Sequence, residues 1–346
     1  MRSKQLPPPF TQIILKTKTH SYFFITLILL LALSALSLIS LGVGAVSLTP
    51  AETLLALRGE PVKASHQTIV RDFRLARVLL VILSGASLSA AGVGFQGLFR
   101  NPLADPYIVG ASSGAALGAT LSAVLRETAF AFPLGVGAFF GALISVIVVF
   151  MIAEVSNFGS IAGLLLAGAA MSAMLSALVS LLLMLSDEVL HEIFVWLLGG
   201  FSGRSWSHLN QALRIAPVGI LIIALMSRAL DAFATGEESA QALGLDLPKA
   251  RILVVTGASL ATAAAVSVSG VIGFIGLIAP HLARTLVGAK HGRLLPIAML
   301  LGSLLLLFSD GLARTIMAPM EMPVGVFTAL LGGPFFLYLL RRGRNA

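Results

Sequence analysis

The sequence contains no cysteine. This absence excludes disulfide bonds, thiolate metal sites and thiol nucleophiles, because each of them requires a cysteine sulfur. Any covalent chemistry or metal binding by this chain would have to use other side chains. We expect neither a catalytic residue nor a metal site in it.

Charged residues are also scarce. Asp, Glu, Lys and Arg make up 11% of the 346 residues, and hydrophobic residues make up 57%. A soluble domain carries about 25% charged residues, so this composition is typical of a membrane protein. A helix of about 20 residues crosses a bilayer core, and a chain of this length holds around ten such spans with short connections. Little of the chain is then left for a soluble domain.

A third absence concerns nucleotides. The chain contains no G-x-x-x-x-G-K-[ST] motif, the glycine-rich loop with which many ATPases hold phosphate groups. We therefore expect no ATP hydrolysis by this chain alone. Charges inside the apolar runs are few, whereas a proton-coupled transporter usually needs a buried carboxylate or histidine relay. His281, near an inner helix end, is more simply interpreted as a hydrogen-bonded helix-end residue.

The apolar runs predict an all-α polytopic membrane protein with about ten transmembrane helices. The approximate spans are Tyr22 to Val46, Val78 to Leu98, Tyr107 to Leu125, Phe130 to Ile152, Ile161 to Leu185, Leu209 to Ser227, Ile252 to Ser269, Val271 to Val287, Leu294 to Arg314 and Val324 to Leu340. The first run follows a basic segment similar to the start of a signal peptide, but its roughly 25 residues are too many for one. It predicts a retained span.

An even number of spans brings both termini to the same side of the membrane. The distribution of Lys and Arg favours a cytoplasmic location for both, and the pI near 10.4 reflects this topology charge rather than a nucleic-acid partner. The predicted organisation is a cytoplasmic tail of residues 1–21, one transmembrane domain of residues 22–340 and a cytoplasmic tail of residues 341–346.

Two polar segments interrupt the apolar runs on the predicted inner side. In GLFRNPLADPYIVGASSGA, an Asn-Pro and an Asp-Pro pair predict the end of one helix and the start of another, because proline lacks an N–H and restricts its predecessor. The longer segment, residues 227–251, predicts two short helices, one beginning near Asp231 to Phe233 and one over Glu237 to Leu243. Gly244 is positioned to end the second helix.

Three further motifs favour structural roles. HEIFV, from His191 to Val195, has valine where the zinc-protease motif needs its second histidine, and a polar interfacial segment explains it better. GASSG, from Gly110 to Gly114, lies in a predicted span with no strand before it, which favours helix packing over a serine nucleophile. GVIGFIG, from Gly270 to Gly276, favours close helix packing over nucleotide binding for the same reason.

Five stretches together resemble one family, the FecCD-type permeases. They are RLAR (74–77), FRNPLADP (99–106), GEESAQALG (236–244), GFIGLIAPHLAR (273–284) and PVGVFTALLGGPFF (323–336). The resemblance covers the chain from about residue 25 to its C-terminus and implies a ten-helix type II importer permease fold. It further implies a second permease subunit forming a homodimer, two cytoplasmic ABC ATPase subunits with their ATP and Mg, and an extracytoplasmic substrate-binding protein. No cofactor is expected on this chain itself.

The resemblance also implies three groups of site residues. Asn101 and Leu103 resemble a cytoplasmic gate, although a purely structural turn is an equal alternative. The coupling helices of about residues 228–251 are expected to dock on the ATPase through Gly236, Glu237, Glu238, Ala240, Leu243 and Gly244. Glu237 is the preferred contact, and the alternative is a solvated carboxylate of little energetic value.

Arg74, Arg77 and Arg314 match the arginines with which the family meets acidic groups on its binding protein. The alternative is that they extend to the level of the lipid headgroups. Ala76 stands where many relatives have proline, which loosens the turn and leaves both flanking charges.

The predicted function is that of a permease subunit that moves a ferric siderophore or similar iron chelate into a bacterial cell across the inner membrane. The spans offer mostly small and apolar residues rather than a charged binding constellation, so we expect a bulky substrate that is held loosely. Haem and cobalamin are alternatives within the same class. An ion-coupled secondary transporter is an alternative from another class, and sparse intramembrane carboxylates argue against it. An intramembrane hydrolase would require Ser112 or His191 to be catalytic.

Overall fold

The computed structural model describes residues 9–44, 46–60, 63–155 and 161–343. Within these ranges the chain forms fifteen α-helices and one short π-helical segment, with no strand. In order they are α1 (Pro9–Gly42), α2 (Pro50–Arg58), α3 (Ala64–Thr68), the π-helix (Ile69–Arg74), α4 (Leu75–Leu98), α5 (Ala111–Val124), α6 (Leu134–Val155), α7 (Ile161–Leu185), α8 (Asp187–Leu197), α9 (Trp206–Leu225), α10 (Ser227–Phe233), α11 (Glu237–Ala242), α12 (Leu247–Ser269), α13 (Ile275–Val287), α14 (His291–Thr315) and α15 (Val324–Gly343).

Ten helices of the described chain correspond in order to the ten predicted spans. Seven of them, α1, α4, α6, α7, α9, α12 and α14, are long and apolar enough to cross a membrane, and three shorter apolar helices are α5, α13 and α15. This confirms the predicted all-α membrane fold. Helix α1 begins at Pro9, inside the segment predicted as a tail, and residues 1–8 and 344–346 lie outside the described residues.

Three predicted spans begin four residues later than expected. Helix α5 begins at Ala111 rather than Tyr107, α6 at Leu134 rather than Phe130, and α13 at Ile275 rather than Val271. The difference at α13 has a backbone cause, because Gly270 and Phe274 have φ angles of +68° and +69°. A residue in that region cannot continue a right-handed helix. The chain therefore crosses from α12 to α13 as a short non-helical segment.

Glycine pairs bring the central helices into backbone contact. Helix α4 runs antiparallel to α14, and a Cβ added to Gly85 would lie 2.5 Å from the carbonyl oxygen of Gly302. A Cβ added to Gly92 would lie 1.9 Å from the carbonyl oxygen of Gly276 in α13. Helices α5 and α6 approach in the same way where Gly114 faces Gly141. Such small residues let helices pack tightly where the surrounding lipid gives no hydrophobic drive.

Tyr107 satisfies the backbone of the break between α12 and α13. Ile272, in the middle of the break, is only 1% exposed. The Tyr107 hydroxyl donates to the Ile272 carbonyl oxygen at 3.2 Å and accepts from the Ile272 N–H at 3.3 Å. Unpaired backbone groups are costly in a membrane interior, so this side chain stabilises the non-helical segment. It also ties the loop after α4 to the α12–α13 junction.

We name the two ends of the helix bundle from the predicted topology. The outer end contains the start of α4 and the end of α14, where Arg77 and Asp310 meet. The inner end contains the end of α4, the start of α14 and the short helices α10 and α11. The predicted docking residues thus lie at one end, and the predicted gate and coupling residues lie together at the other.

Candidate functional site

At the outer end, Arg77 joins two carboxylates from different parts of the chain. Its guanidinium donates to Asp310 Oδ1 at 3.1 and 2.9 Å and to both carboxylate oxygens of Glu321 at 2.9 Å. Asp310 is fully buried, and its other oxygen lies 3.1 Å from Arg314 Nε. Two arginines and two carboxylates therefore balance their charges within one cluster, which we call the outer ion cluster, with Asp310 buried and Glu321 at its exposed edge.

Arg74 and Arg314 also hold the end of α1. Arg74 Nη1 donates to the Leu41 carbonyl oxygen at 2.8 Å, and its other terminal nitrogen donates to the Val46 carbonyl oxygen. Arg314 Nη1 donates to the Val43 carbonyl oxygen at 2.9 Å. The last carbonyl groups of a helix have no partner within the helix, so these guanidinium groups complete the hydrogen bonding of α1.

The three predicted docking arginines are thus brought together, but their side chains face inwards. Arg74, Arg77 and Arg314 are 8%, 9% and 4% exposed. Their guanidinium groups already bind carboxylates or carbonyl oxygens, so they have a structural role whether or not a partner contacts them. Docking on this group stays a prediction. Asp310 and Glu321 bind the Arg77 guanidinium and so turn it inwards. The sequence did not predict either carboxylate as a site residue.

A cavity of about 260 Å³ opens beside the outer ion cluster. Charged and aromatic side chains line it, among them Arg77, Glu192, Trp196, Arg204 and Glu321. Arg204 lies in the connection between α8 and α9, and burial lowers the pKa of its guanidinium. The cavity therefore lies beside the residues expected to meet the binding protein.

At the inner end, the predicted gate residues lie in a loop of tight turns. Asn101 is exposed, and its side-chain oxygen accepts the Leu103 N–H at 2.9 Å. Asp105 repeats this arrangement, because its carboxylate accepts the Tyr107 N–H at 2.9 Å. These local bonds compete with helix formation and explain why the chain turns here. The sequence prediction that α4 ends and α5 starts around the two prolines is confirmed.

Asp105 has a perturbed titration. It lies in the loop, outside the membrane-spanning helices, and has little access to solvent. Burial raises the pKa of its carboxyl from 3.8 to about 6, partly opposed by the hydrogen bond from Tyr107. The raised pKa means that the folded loop favours the neutral carboxylic acid.

The predicted coupling residues form a short helix at the surface of the inner end. Helix α11 is preceded by Gly236, with φ +104°, and followed by Leu243 and then Gly244, with φ +84°. A Cβ at either glycine would meet nothing within 4 Å, so backbone conformation rather than space requires them. Ala240 is fully buried and anchors the helix, whereas Leu243 is 74% exposed. The short helix predicted over Glu237 to Leu243 is confirmed, whereas the helix expected to begin near Asp231 instead begins at Ser227 and ends at Phe233.

Glu237, the first residue of α11, binds two arginines of the same chain. One carboxylate oxygen lies 2.7 Å from an Nη atom of Arg251, in the first turns of α12. The other lies 3.9 Å from an Nη atom of Arg100, directly after α4. Its neighbour Glu238 is exposed. The sequence analysis did not single out Arg100 or Arg251, although Arg100 belongs to the FRNPLADP stretch and Arg251 closes the polar interruption.

A second polar contact joins the coupling segment to α14. The backbone N–H and the Nδ1 atom of His291 lie 2.9 and 2.7 Å from Asp231 Oδ1, and Asp231 belongs to α10. His291 is only 4% exposed and lies against α4, because a Cβ added to Gly97 would be 2.6 Å from its Nε2 atom. The start of α14, the end of α4 and α10 therefore meet at one point.

The weaker motifs have structural partners. Glu192, in HEIFV, binds Arg126 at 2.6 Å, while His191 is exposed. Gly114, in GASSG, packs on α6, as predicted for a packing motif. Among the described residues, no three His, Asp or Glu side chains come together as a metal site would require. The absence of a metal or cofactor on this chain stays an expectation.

Comparison with known proteins identifies the class of this ten-helix bundle. The FecCD transport family model matches residues 29–342. The cobalamin import system permease protein BtuC of Halobacterium salinarum is 42% identical over 81% of this chain and 75% of its own length. The hemin transport system permease protein HmuU of Yersinia pestis is 41% identical over 92% of this chain and 95% of its own length. The Fe(3+)-citrate import system permease protein YfmE of Bacillus subtilis is 37% identical over 91% of this chain and 94% of its own length.

A solved structure supports the same assignment. A metal-chelate type ABC transporter described in an inward-facing conformation has a TM-score of 0.79 and 34% identity, over 92% of this chain and 99% of that one. The fold therefore defines a membrane permease of the ABC transporter class. The chain belongs to the FecCD transport family. It is a multi-pass membrane protein and a transport component rather than an enzyme, and its family works with ATPase and substrate-binding components as a permease dimer.

Proposed function

We propose that this chain is the permease subunit of an ATP-driven importer that moves an iron chelate, a ferric siderophore in the first instance, into the cytoplasm. Two copies form the permease, two ABC ATPase subunits bind their inner side with ATP and Mg, and a binding protein delivers the chelate to the outer end. Both termini then lie in the cytoplasm, and the membrane is the bacterial cytoplasmic membrane.

Helix α11 carries this proposal. It stands at the surface of the inner end between two glycines with positive φ angles, and Leu243 extends from it at 74% exposure. A short helix with an exposed apolar tip suits a groove on a partner protein. The chain has no phosphate-binding loop of its own, so active import needs such a partner. Gly236, Glu238, Leu243 and Gly244 are the proposed docking residues, with buried Ala240 supporting them.

The class of substrate follows from the relatives and from the outer end. Named relatives transport cobalamin, hemin and Fe(3+)-citrate, all of them bulky metal chelates. The charges of the outer ion cluster neutralise one another, so the permease is suited to passing a bulky ligand rather than holding a small ion tightly. Haem and cobalamin are the alternatives to an iron chelate within this class.

A proton- or ion-coupled secondary transporter is less well supported. Such a mechanism needs a titrating group in the membrane, and the buried carboxylate of Asp310 is bound by both Arg77 and Arg314. Both oxygens of this carboxylate face guanidinium groups, so its contacts indicate a structural role in holding α4 against α14.

Uptake in cells tests the proposal directly. Cells that lack the chromosomal gene are complemented with the wild type, with Glu237→Arg or with Lys290→Glu, a matched charge reversal at an exposed inner-end residue outside the coupling segment. Each strain receives radiolabelled ferric siderophore, ferric citrate, hemin or cobalamin. We expect the wild type and Lys290→Glu to restore uptake of one ligand class and Glu237→Arg to lower it about tenfold or more.

Two outcomes would contradict the proposal. Uptake that survives depletion of ATP but collapses with an ionophore would indicate a secondary transporter. If cells complemented with the wild type import none of the four ligands faster than the deletion strain does, the chain does not transport a metal chelate of this kind.

A further inference from the structure

The coupling segment contacts the inner end of α4 through ion pairs within the same chain. Glu237 lies in α11, Arg251 lies in α12, and Arg100 follows the last residue of α4 by two positions. Arg100 is held in the left-handed region with φ +50°, which directs the chain into the loop of Asn101 and Leu103. One carboxylate thus connects the surface helix to the residue that begins the candidate gate loop.

The charge balance gives this carboxylate a specific role. Glu237 lies between two guanidinium groups, at 2.7 Å from Arg251 and 3.9 Å from Arg100. Its side chain is only 36% exposed, whereas its neighbour Glu238 is exposed to solvent. Loss of the carboxylate would remove both of these ion pairs from α11. The contact therefore fixes where Arg100 lies relative to α11.

The second contact of the segment converges on the same helix end. Asp231 in α10 binds His291, and His291 packs directly against Gly97, three residues before Arg100. A displacement of α10 and α11 consequently reaches the end of α4 by two routes. The Glu237 route is the one that continues into the loop.

We propose that Glu237 is a positioning residue that passes movement of α11 to the gate loop through Arg251 and Arg100, rather than a direct contact to the ATPase. The proposal rests on the proposed function, since it assumes that an ATPase moves α11. Docking then depends on the exposed residues Glu238 and Leu243. Because half-exposed ion pairs contribute little to stability, loss of this link should alter coupling much more than folding.

The absence of cysteine provides a clean test. In a Leu103→Cys background, the introduced thiol is the only one in the chain, and its rate of maleimide labelling reports access to the gate loop. The transporter is assembled in nanodiscs with the ATPase that co-purifies with the wild-type chain. Labelling is measured without nucleotide and after trapping with ATP and vanadate, in Glu237→Arg, Arg100→Glu and the charge-swapped triple variant Glu237→Arg/Arg100→Glu/Arg251→Glu. Lys290→Glu is the matched control.

We expect the nucleotide to change the labelling rate about fivefold or more in the background and in the control, and less than about twofold in either single variant. All variants should co-purify the ATPase to a similar extent. The charge-swapped triple variant should recover most of the response, because an arginine between two glutamates can form both ion pairs again. Recovery of the nucleotide response in the charge-swapped variant would show that the ion pairs matter, because a general structural defect would not be repaired by further substitutions.

The inference is overturned by any of three results. Glu237→Arg could lose the ATPase itself, the triple variant could respond no better than the single ones, or the single variants could respond like the background. Failure of the proposed function gives a different pattern, because then the Leu103→Cys background itself would bind no ATPase and show no nucleotide response.

Discussion

Arg77 and Asp310 lie 233 residues apart in the sequence, yet their side chains form two hydrogen bonds of 3.1 and 2.9 Å at the outer end of the bundle. The pair joins the start of α4 to the end of α14. Arg314 shares the same carboxylate from one turn further along α14. One fully buried carboxylate therefore contacts two arginines, and Glu321 supplies the second negative charge.

Removing this carboxylate should destabilise the protein strongly. We expect Asp310→Asn to lower the free energy of unfolding by about 3–5 kcal/mol, because it leaves Arg77 and Arg314 buried with less negative charge. Thermal unfolding of the purified protein in detergent measures the effect. Glu60→Gln is the control, because its exposed carboxylate lies 3.9 Å from a highly exposed Arg58. Equal melting temperatures for Asp310→Asn and the wild type would refute a structural role of the cluster.

Tyr107 offers a test of the break between α12 and α13. Tyr107→Phe removes the hydroxyl that binds both the N–H and the carbonyl oxygen of Ile272. We expect a loss of about 1–3 kcal/mol, since two buried backbone groups lose their partner while the ring volume is kept. Tyr22→Phe, which removes a hydroxyl in α1 but keeps the ring that faces Arg293, should unfold like the wild type. If both variants unfold at the same temperature, the hydroxyl does not stabilise the break.

The titration of Asp105 predicts a pH dependence of stability. The pKa of its carboxyl is about 6 in the folded protein, compared with 3.8 for an unperturbed aspartate. The folded state therefore binds the proton more tightly, so the favourable contribution is present below about pH 4 and is lost as the pH rises to about 6. Above that pH the ionised group costs up to roughly 3 kcal/mol.

Asp105→Asn should remove this dependence, because an amide keeps the oxygen that accepts the Tyr107 N–H but carries no charge. We expect the variant to melt at a higher temperature than the wild type at pH 7.5 and at a similar temperature at pH 4. Melting curves of both proteins between these pH values measure the difference. A difference that does not change with pH would contradict the raised pKa.

The sequence predicted the spans well, because twenty-residue apolar runs and paired prolines act locally. It placed the boundary between two spans at Gly270, but it did not predict that the break extends to Phe274, since the apolar run continues through this segment. It could not pair Arg77 with Asp310 either. The partners of an arginine depend on which helices pack together. Helix α4 packs against α14 through Gly85 and Gly302, and nothing in the sequence distinguishes these two glycines from the others in the chain.

The same limit applies to the coupling helix. The sequence located α11 and its two bounding glycines, because helix-ending glycines have a local conformational cause. It favoured Glu237 as the contact to the ATPase, whereas in the structure Glu237 faces Arg100 and Arg251 of its own chain and Glu238 is exposed. Neighbouring residues on a helix point about 100° apart, so Glu237 and Glu238 have different environments that only the packing of α11 on α12 distinguishes.

Leu243 provides the sharpest test of α11 as a docking element. A leucine that is 74% exposed adds almost nothing to the fold, but in a partner's groove its burial contributes about 1.5–3 kcal/mol. Leu243→Asp should therefore weaken association with the ATPase about tenfold to a hundredfold, because it also places a charge in an apolar groove. The melting temperature of the permease alone should stay unchanged. The binding constant of ATPase for permease in nanodiscs measures the effect.

Leu243→Met is the matched control, since methionine keeps the apolar volume and should bind the ATPase within about threefold of the wild type. Together with Glu237→Arg, the two substitutions separate docking from transmission. Leu243→Asp should lose the partner, whereas Glu237→Arg should keep it and lose only the response of the gate loop. If Leu243→Asp binds the ATPase as tightly as the wild type does, α11 is not the docking element, and the contact must lie on another inner-end surface such as the loop of Asn101.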